Sequence, residues 1–429
     1  MAHQAHNIPW TLLASHLKYS QPSPYNITNL YPRMLPNQGK DITFFITAFA
    51  RNIKEHSTCE RRKFLEHYDA PGPTDIIVDE KTAARIEPTI RRVKETLGGD
   101  IKDIDQRCTT SLFLTAYEPT PCYSFLDFHS RGFFNLQVIE ALLLHGEMDP
   151  ILRGCAHPDV AIESWREAQE CYCGGNSVGW ELLYKNALTA YLCLNLLYCF
   201  PELWDLESSN AGEKKDYRDT RLYQYTVRNC TRSHGKADLV TIPHRQFFGI
   251  PDDYWDTRDF FVKNEAHWLW ASPHTNKYGY AKADPGLYGM VPFREFLSLE
   301  KRPSEETSYL PKESDAALVR DCLYQLGLPA ELALDIIELA EYEPRRRLKV
   351  EHDPLHLENR EELGKYLKFC WQILVRCDLM ANEVGMEIPW HDTIGKCLVG
   401  FLNYKDCKWD SRWFKKHFEE DYTWTYVFP

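Results

Sequence analysis

The sequence predicts a mainly α fold, and three observations carry that expectation. Apolar residues recur at helical spacing in several long segments, recognisable start and stop residues flank the clearest of them, and no run of alternating strands is long enough for a barrel or sandwich. The chain has 429 residues and is 44% hydrophobic, enough to build real cores. Two helical domains are expected: residues 1–300, residues 314–429, and a polar linker at 301–313 between them.

From Asp41, the side chains Ile42, Phe45, Ile46 and Phe49 share one helical face. A second segment, Gly132 to Gly146, places Phe134, Val138, Leu142 and Leu143 at the same spacing and ends at a glycine suited to a left-handed cap. Residues 178–200 are apolar on nearly every side, as in a helix at the centre of a domain, and Pro201 stops them. Residues 205–220 have almost no apolar side chains and are expected to form an exposed loop. Between His244 and Phe296 lie 13 aromatics and four prolines with little periodicity, so that region is expected to be ordered but irregular.

Beyond the linker, Ser314 is placed to cap a helix carrying Leu318, Cys322, Leu323 and Leu326, stopped by Gly327. The next helix is expected to start at Leu328-Pro329, where proline loses no hydrogen bond, with Leu332, Ile336 and Leu339 on its stripe. Asn359 and Glu362 have the spacing of a capping box before Leu363, Tyr366, Leu367, Cys370, Leu374 and Cys377.

The balance of 62 acidic against 50 basic residues, a net charge of −12, argues against phosphate-tracking proteins, so no nucleic-acid partner is expected. The first twenty residues lack the layout of a signal peptide, and the longest uncharged apolar run falls short of about 20 residues, the length that crosses a bilayer. A cytoplasmic protein with reduced cysteines and no membrane segment is therefore expected. The run Pro344-Arg345-Arg346-Arg347-Leu348-Lys349 is the one basic island, and suits either nuclear import or contact with an anion.

Short motifs offer little chemistry. Gly175 to Gly179 fits G-x-S-x-G around Ser177, but helical spacing at Ile162, Trp165 and Ala168 leaves no room for the strand a nucleophile elbow needs; a turn with Ser177 as helix cap is expected instead. Asp252, Asp253 and Asp256 form a D-D-x-x-D cluster that a proline-led helix start explains as well as a magnesium site does. Cys155, His157, Cys171 and Cys173 are zinc-competent residues, yet their one-residue gaps differ from ordinary zinc spacing, and no metal or other cofactor is expected.

The segment Gly327-Leu328-Pro329-Ala330-Glu331-Leu332-Ala333-Leu334-Asp335-Ile336 resembles the opening of an F-box, the helical module that docks on the adaptor subunit of cullin-RING ubiquitin ligases. Tyr366 to Trp371 is similar to the helix that closes such modules. The resemblance implies an F-box-like bundle at 314–429, with Leu328, Pro329, Leu332 and Ile336 facing the adaptor. As a whole, through Leu328 to Pro389, the chain also resembles proteins of filamentous fungi, some encoded beside secondary-metabolite genes.

Two functions are thus expected. One is a protein-interaction module of the F-box adaptor type. The alternative is an accessory protein or enzyme of fungal secondary-metabolite biosynthesis that takes a small apolar substrate, with His244, Arg245, Asp252, Trp255, Glu265 and His267 as pocket candidates, because aromatic walls with a few polar groups are what such pockets use. The ten aromatics between Phe401 and Phe428 are expected to pack back on the body.

Overall fold

A computed structural model describes residues 7–19, 30–32, 38–97, 101–112, 116–169, 171–172, 177–204, 216–232, 239–250, 292–299, 312–339 and 347–402. Among them the chain is mainly helical. The order is α1 (Trp10–Ser15), strands β1 (Leu17–Tyr19) and β2 (Leu30–Pro32), α2 (Gln38–Arg61), α3 (Glu80–Leu97), α4 (Phe125–His145), α5 (Met148–Cys155), α6 (Glu181–Cys199), α7 (Arg221–Thr231), α8 (Ile242–Phe248), α9 (Phe293–Leu299), α10 (Glu313–Gln325), α11 (Ala330–Leu339), α12 (Arg360–Glu383) and α13 (Trp390–Leu402). The strands pair antiparallel, with Leu17 opposite Pro32.

Helix α6 occupies the middle because its sequence gives it no polar face. Leu183, Ala187, Tyr191 and Leu194 are buried, and so are Leu188, Leu192 and Leu196 on the other sides. Helices α12 and α7 pack against it, and α2 packs on α12. Where α1, α2, α6 and α12 meet, Trp10, Phe45, Phe49, Tyr191 and Trp371 form one aromatic cluster. Trp371 lies 5.4 Å from Tyr191 and 5.7 Å from Phe49, and Trp10 lies 5.5 Å from Phe45. Edge-to-face and tilted pairs at these distances add about 0.5–1.5 kcal/mol each beyond the area they bury. The indole Nε1 of Trp371 donates to His56 Nδ1 at 3.0 Å, so its burial leaves no polar atom stranded.

Polar contacts fix the C-terminal half of α12. Arg61 at the end of α2 forks onto the Glu383 carboxylate at 2.8 and 3.0 Å. Arg376 donates to the Leu143 carbonyl at 2.9 Å and so satisfies one of the open carbonyls at the end of α4. Gly146, the expected left-handed cap, has φ 82° and lies so near Arg376 that an added Cβ would come within 2.6 Å of its Nη2. That position needs glycine for both reasons.

Several expected boundaries move. The helix expected to start at Ser314 starts at Glu313, and its first turn is held by Asp315, whose carboxylate accepts the Lys312 N–H at 2.6 Å. Helix α11 starts just after Pro329, within the usual play of helix ends. Asn359 makes no capping bond to α12. Its buried amide donates instead to the Val350 and Asp353 carbonyls, both at 2.7 Å, and thereby pins the preceding loop. Ser177 caps no helix either: its hydroxyl donates to Ala168 O at 3.2 Å, and α6 begins four residues later, at Glu181. Gly179 is required there because a Cβ would collide with the Arg166 carbonyl. Helix α3, which carries Pro88 internally, is not expected from the sequence; the proline lies on an exposed turn, where water can replace the missing bond.

One buried hydrophobic cluster runs from Ile8 to Phe401. Helices α12 and α13 belong to it, so the core is continuous across the position where the sequence places a linker. Helices α10 and α11 form a hairpin closed by Gly327 (φ 81°), tied to the body by Lys312 and Glu351 at 2.7 Å. Phe401 is buried, its ring 6.1 Å from Tyr225; the other aromatics of that tail lie outside the described residues. No helix among the described residues is long and apolar enough to cross a membrane.

The cluster gives a direct test. Changing Trp371 to Ala should cost about 3–5 kcal/mol of stability, the range for truncating a buried indole. Urea unfolding of the full chain reads it, and a loss below about 1 kcal/mol would contradict the central place given to this residue.

Candidate functional site

A cleft of about 550 Å³ opens between α3, α8, the end of α4 and the first turns of α12. This is within the range of small-molecule sites, about 300–1,000 Å³. Helix α8 begins after a turn at Leu239–Thr241, with Pro243 in its first turn, and stops at Gly249 (φ 69°). It lends Ile242, Pro243, Gln246 and Phe247 to the cleft. Helix α12 contributes Glu362, Lys365, Tyr366 and Phe369, which share a face at i, i+3, i+4 and i+7.

The floor is aromatic. The Phe247 and Tyr366 rings stack at 3.7 Å with 4° between their planes, and Phe369 lies 6.4 Å from Tyr366. Below the floor, His244 is buried and its Nδ1 shares a hydrogen bond with the Tyr366 hydroxyl at 2.5 Å. Burial pushes the His244 imidazole down to about 3 and the Tyr366 phenol well up, so both are neutral near pH 7. The pair therefore locks the ring of Tyr366 in place.

The rim is charged. Arg85 pairs with Glu147, and Lys365 reaches both Glu361 and Glu362 at 2.8 Å. Arg347 completes the rim, its backbone N–H bonded to the Gln246 carbonyl at 3.2 Å. The arrangement can hold an apolar body against the floor and orient a polar group at the rim.

The sequence-derived candidates are placed as follows. His244 and Arg245 lie beneath the cleft: Arg245 is buried and its Nε donates to Thr231 O at 2.9 Å. Asp252, Trp255, Glu265 and His267 lie outside the described residues, as do Asp253 and Asp256. Of the basic island, Arg347 reaches the cleft, Leu348 is buried, and residues 344–346 lie outside the described residues. Cys155 is buried, which pushes its thiol up to about 12. His157 is half-buried and its Nδ1 accepts the Asp159 N–H at 3.1 Å, while Cys173 is outside the described residues. Among the described residues no three His, Cys, Asp or Glu side chains converge on a metal-sized site, and Cys171 is half-buried. On the hairpin, Leu328 is half-buried and Pro329 exposed; Leu332, Leu334 and Ile336 are 50%, 56% and 39% exposed.

Arg85, Thr89, Leu144, Lys365 and Phe369 were not singled out by sequence reasoning. Only the 362, 365, 366, 369 stripe on a well-marked helix signals part of the site, and it reads equally as a packing face.

Compared with known proteins, residues 11–416 match a family model described as "Gramillins biosynthetic cluster protein GRA5". No curated protein and no solved structure matches the chain.

The buried imidazole makes stability depend on pH. Unfolded, His244 takes a proton near its ordinary value of about 6.5; folded, it does not until about pH 3. Its contribution is complete above the unfolded value and is lost as pH falls through that window, at about 1.4 kcal/mol per pH unit for one proton. His244→Gln should lower stability at neutral pH yet flatten the acid limb of a stability profile by one proton. Parallel acid limbs in urea unfolding of the two proteins would contradict this.

Proposed function

Because the chain belongs to the Gramillins biosynthetic cluster protein GRA5 family, we propose that it serves secondary-metabolite biosynthesis by holding a small, largely apolar molecule in the cleft beside α8 and α12. The observation that carries this reading is the aromatic floor: Phe247 and Tyr366 are stacked and locked from below by His244, with Phe369 half-exposed beside them. A rigid apolar surface at the base of a cleft is what a ligand can cover with little loss of side-chain freedom. The role is to bind and orient.

Calorimetry with 2-naphthalenemethanol, a neutral planar probe, tests the reading. Phe369→Ala should weaken binding about tenfold, equivalent to about 1.4 kcal/mol of apolar contact. Equal affinity in the variant and the parent protein would count against the cleft.

A second reading rests on the exposed apolar stripe of α11. Leu332 and Ile336 stand open on the hairpin at i, i+4 spacing, as anchors for a helix-in-groove partner do, and the F-box resemblance names the ligase adaptor subunit as that partner. On this reading, the full chain should co-purify with the adaptor when the two are co-expressed, and changing Leu332 and Ile336 together to Asp should abolish the association. Failure of the parent chain to co-purify would end the adaptor reading.

A further inference from the structure

We infer that the ligand of the cleft carries an anionic head group, a carboxylate or a phosphate, and that Arg347 is its anchor; this rests on the reading of the cleft as a ligand site. The chain as a whole carries a net charge of −12. At the cleft the charges are even: Arg85, Arg347 and Lys365 stand against Glu362 in the lining and against Glu147 and Glu361, which pair with Arg85 and Lys365.

The three cations are not equivalent. Arg85 is engaged with Glu147, and Lys365 is divided between Glu361 and Glu362. Arg347 has no ion pair among the described residues, yet its main chain is fixed. Its N–H is bonded to Gln246 O on α8, and the next side chain, Leu348, is buried in the core. An exposed guanidinium on an anchored backbone at the edge of an apolar cleft can present its planar fork to a carboxylate or phosphate, and does so with less ordering cost than a side chain on a free loop. Glu362 sits on the Lys365 side, where one cation serves two carboxylates, so an incoming anion meets least repulsion at Arg347. The ligand is thus amphipathic: an apolar body over Phe247, Tyr366 and Phe369, and an anionic end at Arg347.

The test compares three probes of one shape on the full chain by calorimetry: 2-naphthoate, 2-naphthyl phosphate and the neutral 2-naphthalenemethanol. At least one anion should bind about tenfold or more tighter than the alcohol, with the preference shrinking as salt is raised, and the tighter anion identifies the head group. Arg347→Gln should bring the anions to within about threefold of the alcohol; Arg347→Lys should keep part of the preference, as a point charge without the fork does. Arg347 is exposed, so neither substitution disturbs the core. If the alcohol binds as tightly as both anions, or if Arg347→Gln keeps the preference intact, the anionic head group is wrong while the cleft stands, since Phe369→Ala still weakens the alcohol. If none of the three binds, the cleft reading falls and this inference falls with it.

Discussion

The aromatic cluster of Trp10, Phe45, Phe49, Tyr191 and Trp371 is the contact on which the rest of the structure depends. It joins the first described helix to α12, across nearly the whole chain, and gathers α2 and α6 between them. Its consequence reaches the cleft through the geometry of one helix. Residues 360–383 form a rod of about 36 Å at 1.5 Å per residue. With Trp371 set in the cluster and Arg376 on the end of α4, the first turns of α12 are placed against α8. Tyr366 can then stack on Phe247 and reach His244.

Charge is handled oppositely inside and at the rim. Several buried groups around α12 are kept neutral by desolvation: His244 stays unprotonated, and the thiols of Cys193, Cys230, Cys370 and Cys377 are all pushed up. A neutral interior costs least, and it leaves the hydrogen bond between Tyr366 and His244 as a fixed support. The exposed rim keeps its cations charged and matches two of the three with carboxylates. Binding energy in such a site comes from apolar contact with the floor, and selection comes from the rim.

How much of this could be read in the sequence depended on how local each signal was. Helices α2, α4, α6 and α12 were legible because their apolar residues repeat at helical spacing over four or more turns and a glycine or proline ends two of them. Helix α3 was not, because Pro88 looks like a break and is tolerated only where its turn faces solvent. The capping roles given to Ser177, Ser314 and Asn359 were not kept, because a side chain that fits a local cap can find a stronger partner elsewhere, as Asn359 does in the Val350 to Asp353 loop. The cleft was hardest to see. Its lining comes from Arg85 to Phe369, in pieces of one to five residues whose proximity is a tertiary property. The aromatic density after His244 pointed near α8, yet the two described candidates there, His244 and Arg245, proved to lie under the cleft. The basic island was noticed for its charge, and its anion-contact reading places Arg347 where that charge could serve.

The central claim is that the stacked floor and the Arg347 rim form one binding site. A crystal structure of the full chain soaked in 2-naphthoate tests it most directly. The account predicts density for the naphthalene ring against Phe369 and the Phe247 to Tyr366 stack, with the carboxylate turned toward the Arg347 guanidinium. A cleft left without ligand density while the compound sits elsewhere on the molecule, or a bound ring with its carboxylate turned away from Arg347, would contradict it.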